Sequence, residues 1–391
     1  IGFIMKKFRF LTSGESHGKC LNAIIEGVPA GFKISEEFIN TELKRRQVGY
    51  GRGKRMKIES DTCEIKSGVR LGKTTGGPIC LEIMNKDFDN WRIPMSVKEV
   101  DLKNRDILKL VAEKSFTKVR PGHADFAGAI KYQLEDLRDV LERSSARQTA
   151  IEVAVGAVAK QILKEFYIIG FSHVTQIGKV KAEVLPQSYT LLKESAEHSE
   201  LRCADDVATD MMKEAIDEAK NNGDTLGGKF EVIFGNLPIG LGSHVHWDRK
   251  IDGRIAQAIM SIPAVKSVEI GAGEEAAELM GSQMHDEVFI ADNKIYRKTN
   301  NAGGIEGGMT NGEPIIVKAV MKPIPTMRTP LKTVDLYKKE QTEAHFERSD
   351  TCAVPACAVV AEARIAWILV DELLEKFGGD SLNEIKKNYE K

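Results

Sequence analysis

One segment constrains the fold of this chain more than any other. From about Val354 to Phe377 the sequence reads as a single long, mostly apolar helix, and it stops at Gly378-Gly379, a glycine pair of the kind that closes helices. A helix apolar around most of its circumference has no face to leave in water, so other elements must surround it. A second helix is predicted from Ser145 to about Lys164. There Ser-Ala-Arg-Gln has capping-box spacing, and Ala154, Ala157, Val158 and Leu163 recur at a helical period. Its small residues suit close packing in the core. Shorter helices are expected from Ser35 (an N-cap, with Ile34 and Ile39 as a staple) to about Arg46, over Asp125–Leu134, around Val207–Ala219, and from Asp248 as a cap to about Ile262.

Strands are predicted at Lys7–Leu11, Ala23–Glu26, Lys57–Lys66, Pro78–Met84, Val174–Val184, Gly228–Phe234 and Val265–Ile270. They alternate with helices irregularly rather than as βαβ units. The fold class is therefore α+β, with antiparallel β-sheets around central helices. A length of 391 residues suits two or three domains or one large one; evenly spread glycines without a Pro/Ser-rich hinge favour one. That domain is expected over residues 5–380. Residues 1–4 read as an upstream extension ahead of Met5, and residues 381–391 as a C-terminal tail.

Charge narrows the function. Lys and Arg number 56 against 57 Asp and Glu, a formal charge of −1, which argues against a nucleic-acid coat or an anionic membrane surface but leaves room for local basic clusters. Nine acids against three bases over residues 194–220 read as a solvated helix face. Six scattered cysteines without C-x-x-C spacing support neither a disulfide framework nor a metal site, and favour a reducing, cytoplasmic setting. No apolar run approaches the length of a membrane span.

Four clusters could carry chemistry. In Gly14-Glu15-Ser16-His17-Gly18 the glycines hold a histidine close to the backbone, in a turn rather than a nucleophile elbow; a plain structural turn explains it equally well. Lys44–Lys57 places seven positive charges and no acid in fourteen residues. By itself it is a solvated basic loop or an RNA contact. Its place between a helix and a strand raises the prospect of a lid over an anionic ligand. Arg120-Pro121-Gly122-His123-Ala124-Asp125 is a turn whose Asp125 can cap the next helix and whose His123 can move a proton near neutral pH. Glu142–Arg147 joins Ser144, Ser145 and two arginines at a helix start, a combination that suits phosphate; a plain cap explains Ser145 but not the arginines. Further on, the glycines of 303–308, Lys322–Thr326 and Arg348-Ser349-Asp350 are each weak signals alone.

Taken together the set is specific. GESHG (14–18), RRQVGYGRGKRMKIESD (45–61), SGVRLGKTTGGPI (67–79), RPGHAD (120–125), ERSSARQTA (142–150), LPIGLGS (237–243), SIPAVKSVEIGAG (261–273), NNAGGIEGG (300–308), KPIPT (322–326) and RSDTCAVPA (348–356) resemble, in order, the chorismate synthase family. The resemblance implies a lyase converting 5-enolpyruvylshikimate 3-phosphate to chorismate and phosphate by trans-1,4-elimination. This is the last common step of the shikimate pathway of aromatic amino acid biosynthesis. It further implies a single-domain sandwich of antiparallel β-sheets around central long helices, a need for reduced FMN without net redox change, and a homotetramer. The chain resembles the monofunctional type, served by an external flavin reductase with NADPH as the indirect reductant.

By the same resemblance His17 protonates the departing phosphate, His123 protonates or hydrogen-bonds the reduced flavin, and Asp350 assists proton removal. Arg143, Ser144, Ser145, Gln257, Ala258, Gly307, Lys322, Pro323, Ile324, Pro325, Thr326 and Arg348 are the implied FMN contacts. Arg46, Arg52, Arg55, Arg120 and Arg147 are implied for substrate anions, with Arg46 and Arg52 also associated with NADPH. Three departures stand out: Gln148 for the family's usual Glu, Ser267 for Gly, and Glu274-Glu275 for a more apolar pair. An RNA-binding protein using the Lys44–Lys57 loop would need stacking aromatics, which are scarce nearby. A flavin-binding protein without catalysis would lack His17, His123 or Asp350, and all three are present.

Overall fold

The structure is a computed structural model that describes residues 7–52, 61–184, 187–347 and 349–391. Four strands, β1 (Arg9–Ser13), β2 (Cys20–Glu26), β3 (Cys63–Ser67) and β4 (Ile79–Met84), form an antiparallel sheet in the order β1-β2-β4-β3. Five more, β5 (Ile169–Ile177), β6 (Val180–Lys181), β7 (Gly228–Gly235), β8 (Val265–Ile270) and β9 (Ile315–Met321), form a second antiparallel sheet in the order β8-β9-β7-β5-β6. Alternation sets the inner face of each. Leu21, Ala23, Ile25, Ile79, Leu81 and Ile83 are buried in the first sheet, and Phe230, Val232, Phe234 and Val317 in the second.

Between the sheets lie two helices, Thr149–Lys164 and Val354–Phe377. The Thr149 helix packs on β2 and β4, the Val354 helix packs on β5 and β7, and the two pack on each other. All of the Thr149 helix except Lys160 and Lys164 is buried, and so is the Val354 helix from Val354 to Leu374 except Trp367. The apolar signal that opened the sequence reading thus marks the middle of the sandwich. A Cβ on Gly156 would sit 2.2 Å from the Cβ of Ala363, so glycine is what lets the two helices approach. A mid-helix glycine costs about 1 kcal/mol in propensity, and here close packing offsets it. The helix Glu36–Gln47 lies against both, with Ser35 capping it through Phe38 N at 3.1 Å as expected.

Several local expectations differ. Ser145 does cap, accepting from Arg147 N, but a 3-10 turn, Ala146–Gln148, precedes the helix; Gln148 donates forward to Glu152 Oε1 at 3.3 Å and no capping box closes. Asp248 sits inside a 3-10 turn and takes the His246 ring at 2.7 Å, while the helix Ile251–Met260 starts after Lys250. Residues 381–391, expected as a tail, contain the helix Leu382–Tyr389, with a true capping box at Ser381 and with Ile385 buried. Within the acidic stretch 194–220, the exposed Glu197 is also ion-paired, binding Arg45 and Arg202. No helix among the described residues is long and apolar enough to cross a membrane.

Candidate active site

The loop from β1 to β2 carries GESHG. Gly14 has φ +103°, and a Cβ there would meet the Cys20 carbonyl oxygen at 2.3 Å, so the loop can fold back on β2 only with glycine. The letters do spell Gly-x-Ser-x-Gly with Ser16 central. A nucleophile elbow, however, turns from a strand into a helix, and this loop joins two antiparallel strands. The segment Glu142–Ser145, at the end of the helix Leu137–Ser144, clasps it. Ser16 N donates to Glu142 O at 2.9 Å, Ser16 Oγ to Ser145 Oγ at 3.1 Å, and Arg143 to Gly14 O and Thr12 O at 3.1 and 3.0 Å. Ser144 turns back into its own helix, donating to Val140 O at 2.7 Å.

His17 is buried within this clasp. Its backbone N donates to Glu142 Oε2 at 2.7 Å, its Nδ1 lies 2.7 Å from Glu142 Oε1, and its ring sits on Trp91 with centroids 3.9 Å apart. Arg138, one helical turn before Glu142, reaches Glu142 Oε1 at 3.5 Å and Glu347 at 2.6 Å. Burial works to raise the Glu347 carboxyl, but hydrogen bonds from His345 and Arg138 hold it down to about 2.

Beside this group three arginines meet. Arg46 comes from the end of the Glu36 helix and is buried, donating to Thr149 Oγ1 at 2.9 Å and Ala146 O at 3.0 Å. Arg147 binds Asp61 at 2.5 Å, and Arg46 lies 3.9 Å from the same carboxylate. Arg52 pairs with Asp350 at 3.0 Å, while its Nε is buried with no hydrogen-bond partner among the described residues. Burial lowers the Arg46 guanidinium to about 10; Asp61 opposes this, and the charges of Arg52 and Arg147 add to it. Cations therefore outnumber their carboxylates among the described residues here, and an anion would relieve the excess.

A third group forms on the 120–125 turn. Arg120 grips Asp125 with Nε and Nη2, each at 2.8 Å, and His123 Nδ1 lies 2.6 Å from Asp125 Oδ1. Asp125 is the first residue of its helix, and its side chain serves Arg120 and His123 rather than a cap. Burial alone would raise its carboxyl, but those hydrogen bonds hold it well below the usual carboxylate range. Phe116 joins this group to the first, its ring carrying Arg120 at 5.4 Å and Arg138 at 5.2 Å.

Lys322–Thr326 spans two of these groups. Lys322 Nζ donates to Gly122 O at 2.6 Å, Thr225 holds Ile324 O at 2.7 Å, and Ser349 donates to Thr326 O at 2.9 Å, next to Asp350. Gln257 and Ala258 belong to the helix Ile251–Met260, which packs on the Val354 helix and β8; Ala258 O accepts from Arg364 at 2.8 Å, and Gly307 lies beside His244. The contacts of these three residues run within that layer, not to His17 or His123. Ser267 flanks a register shift in β8, and Glu274 and Glu275 are exposed on a 3-10 turn. Arg55 and Arg348 lie outside the described residues, as does the second half of the Lys44–Lys57 loop. Its first half is fastened: Tyr50 Oη donates to Asp217 at 2.6 Å and Gly51 O accepts from Thr351 N at 2.9 Å. Glu142, Asp61 and Arg138 received no role in the sequence reading. The first two stand inside motifs quoted there, which was the available signal.

The family model described as chorismate synthase matches residues 8–374. Chorismate synthases of Geobacter sulfurreducens and Aquifex aeolicus are 54% and 53% identical, over 98% and 99% of this chain and 97% of each relative. A crystal structure of chorismate synthase superposes with a TM-score of 0.78 at 46% identity, covering 98% of this chain and 96% of that one. With matches of this length and identity, the chain belongs to the chorismate synthase family of enzymes.

Proposed function

We propose that this enzyme converts 5-enolpyruvylshikimate 3-phosphate to chorismate and phosphate by trans-1,4-elimination, with reduced FMN bound. The observation that carries the reading is the meeting of Arg46, Arg52 and Arg147 over Asp61 and Asp350, with Arg52 Nε buried and unpartnered. The substrate has one phosphate and two carboxylates, and the flavin has a phosphate. A site where three buried guanidinium groups meet, one with a donor unpartnered among the described residues, suits such cargo. Arg143, Ser144, Ser145, Gln257, Ala258, Gly307, Lys322–Thr326 and Arg348 would hold the flavin, and Arg46, Arg52, Arg55, Arg120 and Arg147 the substrate anions. When bound, reduced FMN supplies the electron-rich ring that a redox-neutral elimination needs and side chains lack.

The chain's own residues supply charge, orientation and proton transfer. His17 gives a proton to the oxygen of the departing phosphate. Asp350, held by Arg52, receives the proton lost from carbon. His123, fixed by Asp125 and Arg120, holds a proton toward the flavin. We place the enzyme in the cytoplasm as a homotetramer, with an external reductase, drawing on NADPH, keeping FMN reduced. Anaerobic mixing with reduced FMN and substrate should give the chorismate absorbance band; no band would leave a binding-only protein. His17→Ala and His123→Ala should each lower turnover by about 10²–10⁴-fold with FMN binding kept. Robust NADPH oxidation by the purified chain alone would overturn the external source.

A further inference from the structure

We infer that Glu142 is the positioning residue that decides which nitrogen of His17 exchanges a proton; this rests on the acid role proposed for His17. Glu142 and His17 are 125 positions apart, and both are buried. One carboxylate grips the residue twice, Oε2 by the backbone N and Oε1 by Nδ1, each at 2.7 Å. The second grip orients the ring and the first fixes the point from which it turns. Oε1 also faces an arginine donor, Arg138 Nη1 at 3.5 Å, and Oε2 already accepts from the His17 backbone. Both oxygens are thus engaged as acceptors, so the proton between Glu142 and the ring sits on Nδ1. Proton exchange with a ligand is thereby assigned to Nε2. Glu142 itself neither gains nor loses a proton: Nε2–H breaks, the new O–H forms on phosphate, and the imidazole left behind keeps its Nδ1–H.

The support around Glu142 is rigid. Arg138 is held by Lys114 O at 2.8 Å and Glu347 at 2.6 Å, and its guanidinium lies over Trp91 and Phe116 at 5.2 Å from each. Trp91 in turn backs the His17 ring. The imidazole is therefore clamped by a carboxylate on one edge and an indole on one face, the arrangement by which a buried acid holds a catalytic histidine in one tautomer.

The test uses the full chain. Glu142→Gln keeps the shape but turns an amide N–H toward Nδ1, which forces the other tautomer. It should lower kcat by about 10²–10⁴-fold while KM and FMN affinity stay within about threefold. Nitrogen NMR of histidine-labelled protein, without substrate, should show the His17 Nδ1–H signal in the parent and its loss in the variant. Added to His17→Ala, Glu142→Gln should slow turnover no further. If His17→Ala is slow but Glu142→Gln keeps full turnover or the Nδ1–H signal, the positioning role is overturned and the acid role stands. Full turnover in His17→Ala would overturn both. Should Glu142→Gln fail to fold, Glu142→Asp serves, since it withdraws the carboxylate by one methylene; unchanged kcat in that variant would equally sink the inference.

Discussion

Arg45 and Arg46 are neighbours on one helix and both are largely buried, yet their guanidinium groups are pushed in opposite directions. Burial would lower Arg45, but the charges of Glu362 and Glu42 raise it well above its ordinary value. Burial brings Arg46 down to about 10: Asp61 offsets it only in part, and Arg52 and Arg147 add to the fall. Successive helical residues point about 100° apart, so one step along the chain changes the layer a side chain enters. Arg45 enters a closed network centred on buried Glu362 and reaching out to exposed Glu197. It binds both oxygens of Glu362 at 2.9 Å, Lys160 adds 2.5 Å and Arg202 3.3 Å, and Glu42 and Glu197 balance the charges. Arg46 enters a region with more guanidinium groups than carboxylates among the described residues. Identical residue types make a staple in one place and a ligand site in the other. What separates them is whether the structure supplies every counter-charge itself.

The sharpest way to break that contrast is Glu362→Gln. It leaves Arg45, Lys160 and Arg202 without their shared carboxylate, and unpairing a buried charge costs about 3–5 kcal/mol. Denaturant unfolding should show that loss; stability within about 1 kcal/mol of the parent would mean the network is not closed. Acid titration is the next largest test. Burial raises the Glu197 carboxyl, but Arg202 and Arg45 bring it from 4.5 down to about 2. A carboxylate depressed by folding stabilises above its unfolded value and loses that contribution as pH falls through the folded one. Discounted for screening of its part-exposed carboxylate, Glu197 should therefore contribute up to about 2 kcal/mol above pH 4.5, fading toward pH 2. The stability gap between parent and Glu197→Gln should close over that window, and a gap independent of pH would count against the pairing.

Arg46→Gln should behave the other way. Losing one charged hydrogen bond to a ligand is worth about 1.5–3 kcal/mol, or roughly 10–150-fold in kcat/KM, while unfolding stability should move by less than about 1 kcal/mol because a poorly compensated buried cation is removed. An equal loss of stability and activity would make Arg46 a second staple.

This contrast also marks where sequence reading ended. The Val354 helix, the Ser35 cap and most sheet strands were legible because each is a local pattern: an apolar period, a hydroxyl before a helix, alternation; β9 went unpredicted. The arginine-rich motif was legible as a site by its composition and order. What local pattern does not carry is partnership across the chain. Glu142 reads as one more acid in a helix turn until the fold brings it to His17, 125 positions away. Arg45 and Arg46 read alike until the Val354 helix sets Glu362 against one of them. Gln148 has capping spacing, but Glu152 competes for its amide at close range. The Leu382–Tyr389 helix is short and polar, and its anchors are distant in sequence: Ile385 in the core, Tyr389 tilted against Phe166 and Phe377, and Lys386 on Glu165.

The smallest effect asks whether the surplus charge is real, using inorganic phosphate, which is also a product of the proposed reaction. An anion that binds only the folded chain stabilises by RT ln(1 + [L]/Kd), about 1.4 kcal/mol at ten times Kd, which raises the melting temperature by a few degrees. If Arg46, Arg52 and Arg147 share a surplus, phosphate should give that shift in the parent. It should give a smaller one in Arg46→Gln, and the parental shift in Glu197→Gln, whose altered charge lies in the closed network. Sulfate should act likewise, since the guanidinium groups recognise charge and oxygen geometry. Added sodium chloride at matched ionic strength should not, because screening alone supplies no bidentate partner. Equal shifts in all three proteins would place the anion elsewhere on the surface and leave Arg46 balanced by Asp61 alone.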